Sequence, residues 1–231
     1  MRDVRYIRID GRPLLLVYRP KSIPHLNETL DVWRRCLISA GVGNPYIVMC
    51  RSFCFDDPAE HGMDAAVEFP PHGGGWGAPN IAGSLVKLDP EFHGVVRDYR
   101  AMADAMLATA ANDSVIFRGV CPSWDNTARR PLNGSVFVGS SPTQYGSWLA
   151  RACDKTLKER HGDERIIFIN AWNEWGEGAY LEPDRHYGCA YLVETRRVLE
   201  SLIDRSGTAQ ANEIAEYRGD VMEMPRDWAG D

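Results

Sequence analysis

Two glutamates, Glu174 and Glu177, stand in the chain's densest run of polar and aromatic residues, Asn170-Ala171-Trp172-Asn173-Glu174-Trp175-Gly176-Glu177-Gly178-Ala179-Tyr180-Leu181-Glu182-Pro183-Asp184. Paired carboxyl groups are the working parts of glycosidic-bond chemistry, because one must give or take a proton while the other acts on the sugar. In an extended strand an odd offset sends two side chains to opposite faces. In a helical turn residues i and i+3 are neighbours, with Cβ atoms roughly 5–6 Å apart. Gly176 and Gly178 supply the backbone freedom such a turn needs. Trp172, Trp175 and Tyr180 offer flat faces for sugar rings, and Asn173 offers an amide for hydroxyls. A lone glutamate here would read as a solvated surface charge. Two carboxylates with tryptophans and an asparagine, directly after a buried-type strand, read as a site.

Further candidates follow other strand ends. His72, after Pro70-Pro71, could hydrogen-bond a sugar or orient a carboxylate, and a structural histidine is an equal reading. Gly73-Gly74-Gly75-Trp76-Gly77 lacks the GxxxxGK[ST] pattern of a phosphate loop and reads as a mobile loop that places Trp76 near substrate. Trp124 and Asp125 are expected to face the cleft. Arg129 and Arg130 could meet an anionic sugar or a nucleotide-sugar phosphate, with solvated surface arginines as the plain alternative. Glu182 and Asp184 are assigned to bracing the loop and capping the next helix. No metal and no cofactor is expected, because Cys50 and Cys54 have no second pair or histidine cluster at zinc spacing.

These residues need a scaffold, and the hydrophobic pattern provides one. Short apolar runs at residues 14–18, 46–49, 66–69, 115–120 and 166–169 read as strands. Between them lie amphipathic stretches. Asn27 can cap a helix with Leu30, Trp33 and Leu37 on one face, ended by Gly41. A second helix is expected to carry Val95, Val96, Tyr99, Met102, Ala103 and Met106 along one side. Ser141-Pro142-Thr143-Gln144 is a capping box opening a third helix, with Tyr145, Leu149, Ala152 and Cys153 inward. Asp184 can cap a last one carrying Tyr191, Leu192, Thr195, Val198, Leu199 and Leu202. Strand, loop and helix in alternation mean parallel strands joined by helical crossovers. Such folds carry their sites at the carboxyl ends of the strands. Several successive strands here end in chemically rich loops, which predicts a barrel mouth.

The 231 residues suffice for one domain with a real core, and 44% hydrophobic with 25% charged residues is ordinary globular composition. A net charge of −6 argues against a nucleic-acid partner, whose footprint would be a basic face. No apolar run approaches the ~20 residues of a membrane span. Met1-Arg2-Asp3-Val4-Arg5 leads into no apolar stretch, so no signal peptide is read. The cysteines at 36, 50, 54, 121, 153 and 189 are expected to be free thiols in a reducing compartment, which places the chain in the cytoplasm. Residues 1–203 are assigned to one catalytic domain and 204–231 to a polar tail, with at most one short helix near Ile214.

The segment from Asn173 to Gly178, with Leu181-Glu182-Pro183, resembles the NEW-x-EG…(L/I)EP stretch of the glycoside hydrolase family 99-like proteins, which include the WbsX-type proteins of bacterial surface-polysaccharide loci. Three other stretches are similar to that family in the same order. They are Asp10-Gly11-Arg12-Pro13-Leu14-Leu15-Leu16-Val17-Tyr18-Arg19-Pro20, Glu68-Phe69-Pro70-Pro71-His72, and Pro122-Ser123-Trp124-Asp125-Asn126-Thr127-Ala128-Arg129-Arg130. The resemblance covers roughly residues 3–203. It implies a (β/α)8 TIM-barrel fold, of which the C-terminal five or so β/α units are present. The partner it implies is a glycan or sugar substrate, with a missing N-terminal half of the barrel as a second. For the hydrolases of the family, it implies that Glu174 acts as base on the sugar's 2-hydroxyl, giving a 1,2-anhydro intermediate. Glu177 would then be general acid and afterwards general base. This sequence has Gly176 where those hydrolases typically carry histidine. Three functions follow: a retaining hydrolase-like enzyme, a transferase using a nucleotide sugar, or a non-catalytic glycan-binding remnant.

Overall fold

Asp10 and Gly11 both take positive φ, 50° and 72°, and this turn folds Arg8–Ile9 (β1) back antiparallel on Arg12–Val17 (β2). In chain order there follow Leu26–Ser39 (α1), Tyr46–Arg51 (β3), Ala65–Glu68 (β4), Val95–Asp98 (β5), Tyr99–Ala108 (α2), Ile116–Val120 (β6), Trp124–Asp125 (β7) and Ser135–Val138 (β8). The remainder is Pro142–Glu159 (α3), Ile167–Ile169 (β9), Asn173–Glu174 (β10), Ala179–Tyr180 (β11) and Ala190–Ser206 (α4). The structure, a computed structural model, describes residues 1–53, 57–85, 89–108 and 114–206.

The main sheet has the order β1-β2-β3-β4-β6-β9, and from β2 to β9 every neighbouring pair is parallel. The five strands expected from the apolar runs are thus present, in sequence order, as one curled half-barrel sheet. Their period of two divides the core. Leu14, Tyr46, Val48, Cys50, Ala65, Val67 and Phe117 face one side, while Val17, Ile47, Met49, Ala66 and Ile116 pack with Leu30 of α1 on the other. A third cluster joins Tyr99, Met102 and Met106 of α2 to Trp148, Leu149 and Ala152 of α3 and to Tyr191 and Val198 of α4.

Gly119 lets β4 and β6 pair closely, because a Cβ there would run into the carbonyl oxygen of Glu68. Beneath α3, on the helix side of the sheet, Arg118 reaches Glu68 and Glu159 at 2.8 Å each, and the Gly119 N–H donates to Glu68 at 3.2 Å.

Three expectations need correction. Val95 and Val96 do not belong to a helix. They form β5, and α2 begins at Tyr99, after Asp98 accepts the Ala101 N–H at 2.7 Å. A β-branched pair prefers extended backbone, and here it finds a partner in β8. Together β5, β8 and β7 build a second, three-stranded sheet that the pattern did not predict. At the start of α1 the N-cap position is His25, at φ 48°, and Asn27 lies inside the helix. Asp184 accepts the N–H groups of His186 and Tyr187 in a turn ahead of α4, so it does not cap that helix. By contrast Ser141 accepts the Gln144 N–H at 3.2 Å with Pro142 at the first helical position, as the capping box requires. The domain boundary expected at residue 203 falls inside α4. The tail beyond Ser206, with the helix expected near Ile214, lies outside the described residues, as does Cys54.

Candidate active site

The loop carrying both glutamates is shaped as a turn. After β9, Asn170 ties the chain to the sheet, its N–H to Val120 and its side-chain amide to Pro70, each at 2.8 Å. β10 and β11 then pair antiparallel around a short 3₁₀ helix, Trp175–Glu177, with Glu174 at its N-cap. Gly178 closes the turn at φ 60°, where a Cβ would meet the backbone of Asp125 at 2.8–2.9 Å. The Ser123 hydroxyl donates to the Gly178 carbonyl, so the turn is docked on the start of the small sheet. The result is the i, i+3 geometry that lets two side chains share one face, and both glutamates line one cleft.

That cleft has a volume of about 1370 Å³ and opens at the carboxyl ends of the main strands. Small-molecule pockets usually hold roughly 300–1,000 Å³, so this one has room for several sugar units. One wall is aromatic. His72 stacks 5.9 Å from Phe69 and lies 4.9 Å from Phe53, and Tyr18 lies 5.3 Å from Phe69. Trp76 and Trp124 continue it, each edge-on to His72 and 6.2 Å from one another. The other wall is basic and comes from the small sheet: Arg97 of β5, and Asn126, Arg129 and Arg130 of the turn between β7 and β8. Asn126 holds that turn, its carbonyl accepting from the Arg129 and Arg130 N–H groups at 3.0 Å and its side chain from the Ser135 N–H at 2.7 Å.

The two carboxyls differ. Glu174 is exposed. Glu177 is half-buried and its carboxyl is raised above the ordinary range, first by burial and further by the Glu174 charge, while Arg129 at 2.7 Å pulls the other way. Burial, with the Arg19 charge beside it, pushes the His72 imidazole down, which favours its neutral form. Its Nδ1 accepts a long hydrogen bond, 3.4 Å, from the Trp76 indole. Among the described residues no group of three His, Cys, Asp or Glu side chains is placed to hold a metal ion. Among the described residues, Cys36, Cys50, Cys121 and Cys189 are free thiols.

Of the expected site residues, Glu174, Glu177, His72, Trp76, Trp124, Arg129 and Asn173 border this cleft, as does Arg130. Asp125, Trp175 and Tyr180 do not. They line a neighbouring depression that also holds Tyr187 and Tyr191. Trp175 and Tyr180 stack on each other at 3.7 Å, and the Trp175 indole donates to Glu182 at 2.6 Å, so their rings brace the loop. The Asp125 carboxylate accepts the N–H and hydroxyl of Thr127, at 2.9 and 2.6 Å. Trp172 is exposed and borders neither space. The glycine run at Gly73–Gly77 is a 3₁₀ helix packed on α2, where Gly75 meets Met102. Tyr18, Arg19, Phe53, Phe69 and Arg97 were not singled out from sequence, yet they line the cleft. Tyr18 and Phe69 close apolar runs, so the rule that strand ends carry the site could have found them. Arg97 was hidden by the helical reading of its segment.

Residues 1–195 match the family described as glycosyltransferase WbsX. Two relatives from strains of Xanthomonas campestris pv. campestris, ATCC 33913 and B100, both called WxcX, are each 40% identical over 199 residues, covering 86% of this chain. The chain spans 28% of their length. A solved structure described as a glycoside hydrolase-like protein superimposes with a TM-score of 0.55 over 84% of this chain and 56% of that one, at 14% identity. That likeness is one of fold.

Proposed function

Since the chain belongs to the WbsX glycosyltransferase family, we propose that it supplies the catalytic part of an enzyme acting at glycosidic bonds of bacterial surface polysaccharide, with Glu174 and Glu177 as the reacting carboxyls. One observation carries this reading: both glutamates of the turn line a cleft of oligosaccharide size beside an aromatic wall. The main sheet also supports closure into a full (β/α)8 barrel by strands from elsewhere in a longer protein. β9 ends the sheet with all three residues half-buried, the pattern of a strand lacking its second neighbour.

In the hydrolytic version, Glu174 takes the proton of a sugar 2-hydroxyl as that oxygen closes on the anomeric carbon. Glu177, its proton held by burial, gives it to the departing oxygen. Water then opens the 1,2-anhydro sugar, with Glu177 taking the water's proton and Glu174 returning its own to the 2-oxygen. In the second reading the departing group is a nucleotide. The family's description and the arginines on the small-sheet wall favour it.

Turnover by the full-length protein on aryl glycosides and on nucleotide sugars tests both. Under the hydrolytic reading Glu177→Gln is rescued by a good leaving group, which needs no proton, and Glu174→Gln is not. Activity confined to nucleotide-sugar donors selects the transferase. Full activity in both variants would remove the two glutamates from the chemistry.

A further inference from the structure

Arginines elsewhere in this chain commonly find a carboxylate: Arg5 with Asp3, Arg12 with Asp64, Arg118 with Glu68, Arg151 with Asp104, Arg197 with Glu194. The cleft departs from that habit. It is lined by Arg19, Arg97, Arg129 and Arg130 against two glutamates, in a chain whose net charge is −6. Only Arg129 has an acidic partner among the described residues, Glu177. Arg97 is half-buried and anchored. Its Nε donates to the Ala78 carbonyl at 2.8 Å, and its guanidinium lies 5.6 Å from the Trp76 ring. That anchoring leaves the terminal nitrogens as a fork of donors, the geometry that takes two oxygens of one anion. Arg19 lies over the Phe53 ring, 4.2 Å from its centre. Arg130 stands beside Arg129 in the Asn126 turn.

Placing three arginines without acidic partners on the rim of one cleft builds up positive potential, and a ligand of opposite sign would neutralise it. We infer that the cleft takes an anionic sugar, one bearing a carboxylate or phosphate, and that Arg97 and Arg130 bind its charge while Arg129 serves Glu177. This rests on the carbohydrate reading and adds the charge of the substrate to it. The division of labour follows the architecture, with acid–base groups on the loop after β9 and charge recognition on the small sheet.

Calorimetric binding by the full-length protein tests it with three probes: a neutral oligosaccharide, one of equal length containing glucuronate, and a sugar nucleotide. An anionic probe should bind at least about tenfold more tightly than the neutral one. Arg97→Gln and Arg130→Gln should each weaken it by about tenfold to a hundredfold, the worth of a charge-assisted hydrogen bond, and weaken the neutral probe far less. Added salt should weaken only the anionic probe. Tighter binding of glucuronate identifies the charge as a carboxylate, and tighter binding of the sugar nucleotide identifies it as phosphate. A neutral oligosaccharide that binds wild type as well as either anion overturns the inference while the carbohydrate reading stands, and this arm needs no variant to fold. Binding of none of the probes sinks both.

Discussion

Two glutamate–arginine pairs in this chain have almost the same length and opposite circumstances. Glu68 and Arg118 meet at 2.8 Å with side chains 5% and 2% exposed, and Glu177 and Arg129 meet at 2.7 Å with 24% and 59% exposed. Glu68 has both oxygens occupied, one by the guanidinium and one by the Gly119 N–H. Glu177 accepts from Arg129 with one oxygen only among the described residues, and it borders the cleft. Both carboxyls are raised, with burial as the leading cause in each. The distance therefore says nothing about role. A pair closed on every side pins strands to a helix, whereas a pair open on one side keeps a proton within reach of something that arrives.

The largest effect that could break this contrast is catalytic. Glu177→Gln should lower turnover of the full-length protein by about 10²–10⁴-fold with an unchanged melting temperature, since general acid–base catalysis is worth that much and the replacement is nearly isosteric. A lowered melting temperature with normal turnover would make Glu177 a second structural pair. Next, Arg118→Met should destabilise the fold by about 3–5 kcal/mol, the usual result of leaving one buried charge alone. Denaturant titration measures it, and a loss no larger than that of Arg129→Met would erase the distinction.

A subtler effect concerns pH. Arg129 holds the Glu177 carboxyl down against burial, so Arg129→Gln should let it rise further. The alkaline limb of the kcat/KM profile should then move to higher pH, and a limb that stays or falls would detach Arg129 from the acid. The smallest effect is on stability. A carboxyl raised in the folded chain contributes stability that is whole below its unfolded value, roughly 4.3, and is lost as pH rises through the folded value. Relative to Glu68→Gln and Glu177→Gln, wild type should therefore lose ground with rising pH. Denaturation midpoints measured across the acidic to neutral range give both slopes.

The five parallel strands were legible because each is a run of apolar residues bounded by turn residues, a signal that needs no knowledge of its neighbours. The glutamate turn was legible for a local reason too: Gly176 and Gly178 bracket Glu177 and give the backbone the freedom a tight turn needs, which Gly178 uses at φ 60°. The small sheet was not. β7 is two residues long, too short to show a period, and its pairing with β8 depends on a turn held by Asn126. Val95 and Val96 sit at helical spacing from Tyr99, Met102 and Met106, so the apolar pattern alone assigns them to one helix and misses the switch at Asp98. Trp175 and Tyr180 show a different limit. Composition revealed two rings near two carboxylates, but only the antiparallel pairing of β10 with β11 sets them face to face, away from the cleft.

Ser123 and Gly178 join the two parts of the molecule that sequence reading kept apart, since the serine hydroxyl bonds the glycine carbonyl and the Asp125 backbone fills the space a Cβ would need. The loop that carries the two glutamates and the sheet that carries the arginines are therefore joined by a direct contact. An exchange of segments between relatives would keep this seam intact by moving residues 123–138 together with residues 172–182.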